Sequence, residues 1–503
     1  MLAEVVRAAA SRFGDRPALV MVDGPSLSFS ELDARSDRLA VTLARAHHLH
    51  EGDVVALRLP SHLGYAVAYA ALAKLGVAAA GINPGLAAAE QDRILEHLRP
   101  TLVITDEVLT AASATAADLG EQPAAMGLDP ERLAAVVFTS GTTGLPKGAL
   151  FRNRHLSAIA RLDLGAGPGA GLTEMLAQPD VPPPMSQLAS TQFAHIGFMT
   201  KLPWYLAAGL TTHVLGRWRA DDVIDLIERE RIATLGAIAP QVALLLRSPR
   251  RASADLSCLR TLIVGGAASQ PALVTEAVTE LGVTYSIRYS STESGGVGLS
   301  NDVTANDVTA DNRHGDAIRS IGRPRPGVEA NITEDGELCL RSAAVFDGYW
   351  NDASATDAAG RDGWLHTGDL AEFDDEGRVR LIGRRSDMYI RGGYNVHPAE
   401  VEAVFGDHPQ VAQVVIVPQS DDVMGELGVA VIVPVDPIDP PTLEQLLEFA
   451  HDRLARWKHP EAVVIVDELP LTSVSKPDRS ALRQLVLDRC VNSPLPDEQG
   501  SAG

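Results

Sequence analysis

Residues Phe138–Gly148 read FTSGTTGLPKG and follow directly on the apolar run Ala134–Phe138, AAVVF. A short apolar run bounded by turn residues is the mark of a buried strand. The loop that ends it holds two Ser/Thr pairs, three glycines and one lysine. Glycines let a backbone curl with successive N–H groups pointing inward, and such a concavity binds anions. Gly141 and Gly144 supply that freedom, the hydroxyls of Thr139, Ser140, Thr142 and Thr143 add neutral donors, and Lys147 adds a point charge. The chemistry suggested is a polyphosphate grip; a plain surface turn is the bland alternative, and loops set on a rigid strand more often carry function.

The loop is not a P-loop of the form G-x-x-x-x-G-K-[ST]. Pro146 stands where the second glycine belongs, and Gly148 where the Ser/Thr belongs. A second glycine cluster, Gly165–Gly171 (GAGPGAG), contains the letters of the dinucleotide fingerprint. That fingerprint needs a strand before it and a helix after it. Here the mixed segment RLDL precedes it and Pro168 interrupts it, so a loop is expected.

Outward from Phe138, helical and strand signals alternate. Ser30–His47 has helical apolar spacing, Asp53–Leu59 reads as a strand, Ser61–Leu75 as a helix and Leu102–Thr105 as a strand. The rhythm resumes with a helix over Ala220–Arg231 and strands at Thr234–Ala237 and Thr261–Val264. Alternation of this kind predicts an α/β fold with parallel pairing. Asn301–Asp311 repeats NDVTA and is polar, which predicts a surface loop. From about Gly336 the texture turns to short strands, and after Arg384 a compact unit of strands and helices runs to Val491.

A length of 503 residues suggests about three domains. The formal net charge of −22 disfavours nucleic acid and anionic membranes as partners, so an anionic ligand must be met by locally placed cations. Cys258, Cys339 and Cys490 are far apart and odd in number, which fits buried thiols in a reducing, cytoplasmic compartment rather than disulfides or zinc. The N-terminus lacks the layout of a secretory leader, and no apolar run is long enough for a transmembrane segment.

Four further clusters carry chemistry: RYSSTESGG (Arg288–Gly296), RDGWLHTGDL (Arg361–Leu370), GRRSDMYIRGGYNVHPAEVE (Gly383–Glu402) and ELPLTSVSKPDR (Glu468–Arg479). Each alone is weak. In this order and spacing, with the Thr139–Lys147 loop, they resemble the adenylate-forming superfamily of acyl-CoA synthetases, nonribosomal adenylation domains and firefly-type luciferases. The resemblance runs from about residue 10 to 490 and is strongest to a bacterial acyl-CoA synthetase. It implies an N-terminal domain (1–384) of two βαβ-type sheet subdomains plus a small β-barrel-like part. It also implies a small mobile α+β C-terminal domain (385–492), followed by a disordered tail (493–503).

The resemblance implies roles as well. The loop Thr139–Lys147 would hold the β- and γ-phosphates of ATP. Thr292 and Glu293 match a Thr-Glu pair whose acid holds Mg²⁺. Tyr289 would stack on adenine, with Gly266, Ala267 and Ala268 on its other face. Asp369 would take the ribose hydroxyls, with Arg384 beside it. Lys476 would bridge the substrate carboxylate and the α-phosphate, and Gly392, Gly393 and Tyr394 would line a tunnel for coenzyme A. The expected activity is an acid–thiol ligase reaction through acyl-AMP, with the C-terminal domain swinging about Arg384–Asp387 between its two steps. This sequence departs from the family pattern at Ser290, Ser386, Leu471 and Ser475, none of which removes a reacting group.

The segment Gln192–Thr200 matches the family's acyl pocket. His195 would gate it, or else be a hydrogen-bonded core histidine; Ile196, Gly197, Ala239, Gly265 and Gly295 would complete small, apolar walls. No acid in that segment could pair an α-ammonium, so an apolar carboxylic acid (fatty, aryl or sterol-derived) is expected rather than an amino acid. No carrier-protein serine motif follows the last helix, which favours free coenzyme A. Loading of a carrier protein in trans and non-catalytic nucleotide binding remain as alternatives, and a homodimer stays open.

Overall fold

The computed structural model describes residues 1–115, 127–139, 146–165, 172, 176, 182–189, 191–266, 268–309, 318–391, 394–421, 424–472 and 476–492; of residues 113–115, 309, 386, 395 and 490–492 it describes the backbone alone. The first large sheet runs Leu102–Ile104, Val54–Leu57, Ala78–Gly81, Leu133–Phe138, Gly148–Arg152. Its first four strands are parallel and the last is antiparallel. Val54–Leu57 and Ala78–Gly81 are buried throughout, as parallel strands covered on both faces must be. The helix Phe29–His47 that packs on this layer starts at a capping box, with the Ser28 hydroxyl accepting from Glu31 N–H and the Glu31 carboxylate from Ser28 N–H. The neighbouring helix Leu63–Lys74 is apolar almost all round, and the Lys74 ammonium at its end is held by Asp33 and Asp37 at 2.5 and 2.6 Å.

The second sheet runs Thr234–Ala237, Thr261–Gly265, Thr284–Tyr289, Leu299–Val303, Arg323–Pro324. Its first three strands are parallel, so Gly265 and Tyr289 stand together at carboxyl ends, where open α/β sheets bind ligands. The repeat at Asn301–Asp311 corrects the expectation of a loop: it supplies most of the strand Leu299–Val303 and the helix Ala305–Thr309, with residues 310 and 311 outside the described ones. Its polarity misleads because the polar side chains have partners. Asp302 accepts from the Ser286 hydroxyl on the next strand, and the Thr304 amide and hydroxyl both donate to Asp307.

A smaller mixed sheet of Ser26–Ser28, Pro17–Met21, Leu210–Val214 and Met185–Ala189 was not foreseen. The short-strand texture after Gly336 is an antiparallel sheet of Glu329–Ile332, Glu337–Arg341, Trp364–Phe373 and Gly360–Arg361, with Val379–Arg384 paired to the long third strand. That last pairing sets Asp369 opposite Arg384. After Arg384 comes a fifth sheet, Tyr394–Val396, Tyr389–Arg391, Gly425–Pro434, Val411–Asp421, with Ala462–Ile465 parallel to Gly425–Pro434. The helices Pro398–Phe405, Leu443–Ala450 and Arg479–Asn492 accompany it, and its apolar residues form cores of their own. Among the described residues no helix is long and apolar enough to cross a membrane.

Two glycines let the layers close on the site. A Cβ at Gly81 would lie 2.6 Å from Met199 Sδ and 2.8 Å from Ala194 Cα, so only glycine lets the His195 segment lie against the first sheet. A Cβ at Gly298 would lie 2.2 Å from the Tyr289 carbonyl oxygen. Gly298→Ala is therefore expected to cost about 1–3 kcal/mol of stability by overpacking and to weaken nucleotide binding through Tyr289. Urea unfolding and nucleotide titration measure both, and an unchanged midpoint would contradict the close approach.

Candidate active site

Asp369 is the most connected residue of the site. It is 6% exposed. Its Oδ1 accepts from Arg384 Nε at 2.8 Å and its Oδ2 from the Tyr289 hydroxyl at 2.6 Å. Burial first, and the Asp369 charge second, push the Tyr289 pKa well up, so the phenol keeps its proton and donates. The turn that aims Asp369 is fixed by its own neighbours. Gly368 has φ +73° and its N–H donates to Glu337, while the Thr367 hydroxyl donates to the Leu338 carbonyl and accepts from Asp369 N–H.

The phosphate-loop region is closed at its base by Thr139 N–H donating to the Lys147 carbonyl at 2.9 Å. Ser140, Gly141, Thr142, Thr143 and Gly144 lie outside the described residues, as do Ala267, Gly392, Gly393, Ser475 and the tail 493–503. The Lys147 ammonium lies 5.2 Å from the ring centroid of Tyr349, whose hydroxyl donates to Glu293 Oε1 at 2.7 Å. Burial, then the Glu293 charge, raises the Tyr349 pKa and keeps it a donor. Lys147 and Glu293 thus share one aromatic support. Thr292 sits in the turn before it, its carbonyl accepting from Gly295 N–H.

Lys476 is presented on a tight loop: Thr472 N–H donates to its carbonyl at 2.7 Å, and its own N–H donates to the Thr472 hydroxyl at 3.3 Å. The residue is exposed at the surface. Partial burial, then the like charge of Arg384, lowers its pKa, against Asp369 and Glu293, which raise it. Lys476 is also felt by His195, whose pKa is lowered to about 4 by burial and then by that ammonium. The charge of one lysine from the C-terminal sheet region is therefore felt together with Arg384, Asp369, Glu293 and His195.

His195 Nε2 lies 3.3 Å from Asn83 Nδ2, and Asn83 Oδ1 already accepts from Gly85 N–H. The amide must point its N–H₂ at the ring, so Nε2 is the acceptor and the imidazole is neutral. Beside it, Ile196 faces Gly296: a Cβ there would lie 3.4 Å from Ile196 Cγ1 and 3.3 Å from Lys201 Cε. Gly295 turns instead toward Ala344 and Ile159, and a Cβ at Gly197 would meet the Thr191 hydroxyl. Ala239 is buried in the core of the second sheet. Gly265 packs against Arg288, and Gly266 (φ +83°) and Ala268 are exposed at the strand end. Tyr394 stands 56% exposed and stacked on Trp457, with ring centroids 5.0 Å apart.

Residues 6–350 match the AMP-binding enzyme family, and residues 400–476 match the AMP-binding enzyme C-terminal domain. The chain belongs to the AMP-binding enzyme family. An indoleacetate–CoA ligase of Aromatoleum aromaticum is 31% identical, over 92% of this chain and 93% of its own length. A 2-succinylbenzoate–CoA ligase of Bacillus subtilis is 30% identical, over 93% of this chain and 95% of its own. Among solved structures, the o-succinylbenzoate CoA synthetase of Bacillus subtilis in complex with its acyl-adenylate intermediate superposes with a TM-score of 0.78 at 26% identity, covering 95% of this chain and 97% of that one. The overall architecture is that of the adenylate-forming enzymes.

Reasoning from sequence missed three residues of this AMP-binding enzyme: Asn83, Tyr349 and Lys201. Each acts through partners at least 38 positions away along the chain, beyond the reach of any local motif.

The His195 shift gives a pH dependence of known sign. The folded state binds the His195 proton more weakly than an unfolded chain, whose histidine titrates near 6.5. Its contribution to stability is therefore complete above about pH 6.5 and is withdrawn as the pH falls toward 4. Lys476→Ala should move the His195 pKa upward, read by NMR of the imidazole Hε1. An unmoved titration would show that the two residues do not meet.

Proposed function

We propose that this protein is an AMP-forming acid–thiol ligase that joins an apolar carboxylic acid to coenzyme A at the Asp369 site. The observation that carries the reading is the buried Asp369 carboxylate held by Arg384 Nε and the Tyr289 hydroxyl, with the charge of Lys476, from the C-terminal region, in electrostatic reach of it. In-line attack of one anion on another needs positive charge between them, and positioning does most of the rest. Lys476 is placed to supply that charge to the substrate carboxylate and the α-phosphate of ATP. Asp369 offers its oxygens to the ribose hydroxyls, with Tyr289 and Arg384 holding the carboxylate. Lys147 serves the distal phosphates. Neutral His195 lines the entry to the acyl pocket without adding a second charge.

The residues also fit Mg²⁺. Glu293 is a half-buried carboxylate whose Oε1 accepts from Tyr349, and a carboxylate is the hard oxygen donor that Mg²⁺ shares with phosphates. Bound there, the ion would neutralise phosphate charge.

Adenylation releases pyrophosphate and leaves acyl-AMP; the coenzyme A thiolate then attacks the activated carbonyl and AMP departs. The second step needs room at the carbonyl that Lys476 occupies in the first. A swing of residues 385–492 about Arg384–Asp387 supplies it. Among the described contacts it would break are Arg319 with Asp407, Arg385 with Asp335, Gln270 against Gly406, and His397 and Ala399 against Gly383. Gly392, Gly393 and Tyr394 would then line the thiol's path, with Tyr394 exposed and available. We place this enzyme in the cytoplasm.

Pyrophosphate exchange across carboxylic acids of graded length and ring content tests the activity, and mass spectrometry with coenzyme A identifies the acceptor. Exchange with no acyl-CoA from any acid would favour carrier-protein loading. Lys476→Ala is expected to slow adenylation about 10²–10³-fold, the scale of one lost transition-state donor. Thioester formation from preformed acyl-AMP should change only several-fold. Equal losses in the two half-reactions would contradict the swing.

A further inference from the structure

The acyl pocket is expected to be apolar, yet a charged side chain lies beside the Gln192–Thr200 segment expected to form it. The Lys201 side chain is 12% exposed, and its ammonium donates to Asp163 Oδ2 at 2.6 Å and to the Gly296 carbonyl at 3.2 Å. An ammonium has three N–H donors; the third has no partner among the described residues. Asp163 is shared: its Oδ1 accepts from Arg325 at 2.9 Å. Two cations thus converge on one carboxylate, and the group keeps a net positive charge. Gly296 lies between Lys201 and Ile196: a Cβ there would stand 3.5 Å from Lys201 Nζ and 3.4 Å from Ile196 Cγ1. Lys201 is therefore separated from the residue next to His195 only by that glycine.

We propose that Lys201, held by Asp163, reads an oxygen acceptor, a carboxylate or a carbonyl, on the body of the acid, away from the carboxyl group that is activated. This rests on the reading of the Asp369 site as an acid-activating centre and narrows its substrate class. Physical cost argues the point. A plain alkyl chain packed here would strip solvent from a half-paired ammonium and return nothing, whereas an apolar residue at position 201 would serve it better. An acceptor on the substrate completes the lysine's donors and offsets the excess charge. The competing geometry has Lys201 lay its methylenes along the pocket and turn its head away to Asp163; that pocket would favour plain chains.

The test is kcat/KM for matched acids: an alkanoic acid against its ω-oxo and ω-carboxy counterparts of equal length, and phenylacetic acid against its para-acetyl and para-carboxy derivatives. The wild-type enzyme should favour an acceptor-bearing member of at least one pair by about tenfold or more, a scale consistent with leaving a buried donor unpaired. Lys201→Met should abolish or invert that ratio. A preference for the plain acid in every pair, or a variant that lowers both members of a pair equally, would overturn the proposal. If the variant does not fold, the wild-type ratios decide alone. Pyrophosphate exchange with none of the acids would sink the acid-activating reading itself, and this inference with it.

Discussion

The buried carboxylate of Asp369 is the interaction on which the site depends. Its two oxygens tie together three separate pieces of chain: the end of the parallel strand that carries Tyr289, the long antiparallel strand that carries Asp369 itself, and Arg384 at the border of the C-terminal region. A buried carboxylate is costly unless paired and hydrogen-bonded. Here both requirements are met, by the Arg384 guanidinium and the Tyr289 hydroxyl. Under the proposed function, the contacts that stabilise the carboxylate are also the ones that would set it toward the nucleotide.

The surrounding electrostatics follow from that anchor. The chain carries a formal net charge of −22, yet the cleft gathers Lys147, Arg384 and Lys476 near Asp369 and Glu293. Local charge at a few ångströms outweighs a distributed field, since charges beyond a Debye length are screened. Lys476 joins this cluster from the C-terminal region. Burial, and then the Lys476 charge, lowers the His195 pKa. Between the C-terminal region and the rest, Arg319 pairs with Asp407 and Arg385 with Asp335 and Glu337, while His397 and Ala399 lie against Gly383 and Gln270 against Gly406.

What could be read in the sequence was what short range determines. Glycine- and hydroxyl-rich turns after apolar runs marked the strand Leu133–Phe138 and its loop, and the order of the motifs picked out Tyr289, Asp369, Arg384 and Lys476. What could not be read depends on chain segments brought together from afar. Lys201 looks like any solvated cation until Asp163 and Gly296 are seen beside it, and Asn83 means nothing until its amide is seen to point at His195. The strand Leu299–Val303 looked like loop because its polar residues are paired across the sheet, a tertiary context that overrides local propensity. The small mixed sheet escaped notice for the same reason: its strands are short, and Pro17–Met21 pairs with Leu210–Val214 across most of the N-terminal region.

The central claim is that one triphosphate is gripped between the Asp369 cluster and the loop that ends at Lys147. A crystal structure with a non-hydrolysable ATP analogue tests it most directly. The account predicts ribose hydroxyls on Asp369, the adenine beside Tyr289, the distal phosphates at Lys147, and Lys476 directed at the α-phosphate. A nucleotide bound elsewhere, or one that leaves the Asp369 carboxylate without a ligand contact, would contradict it.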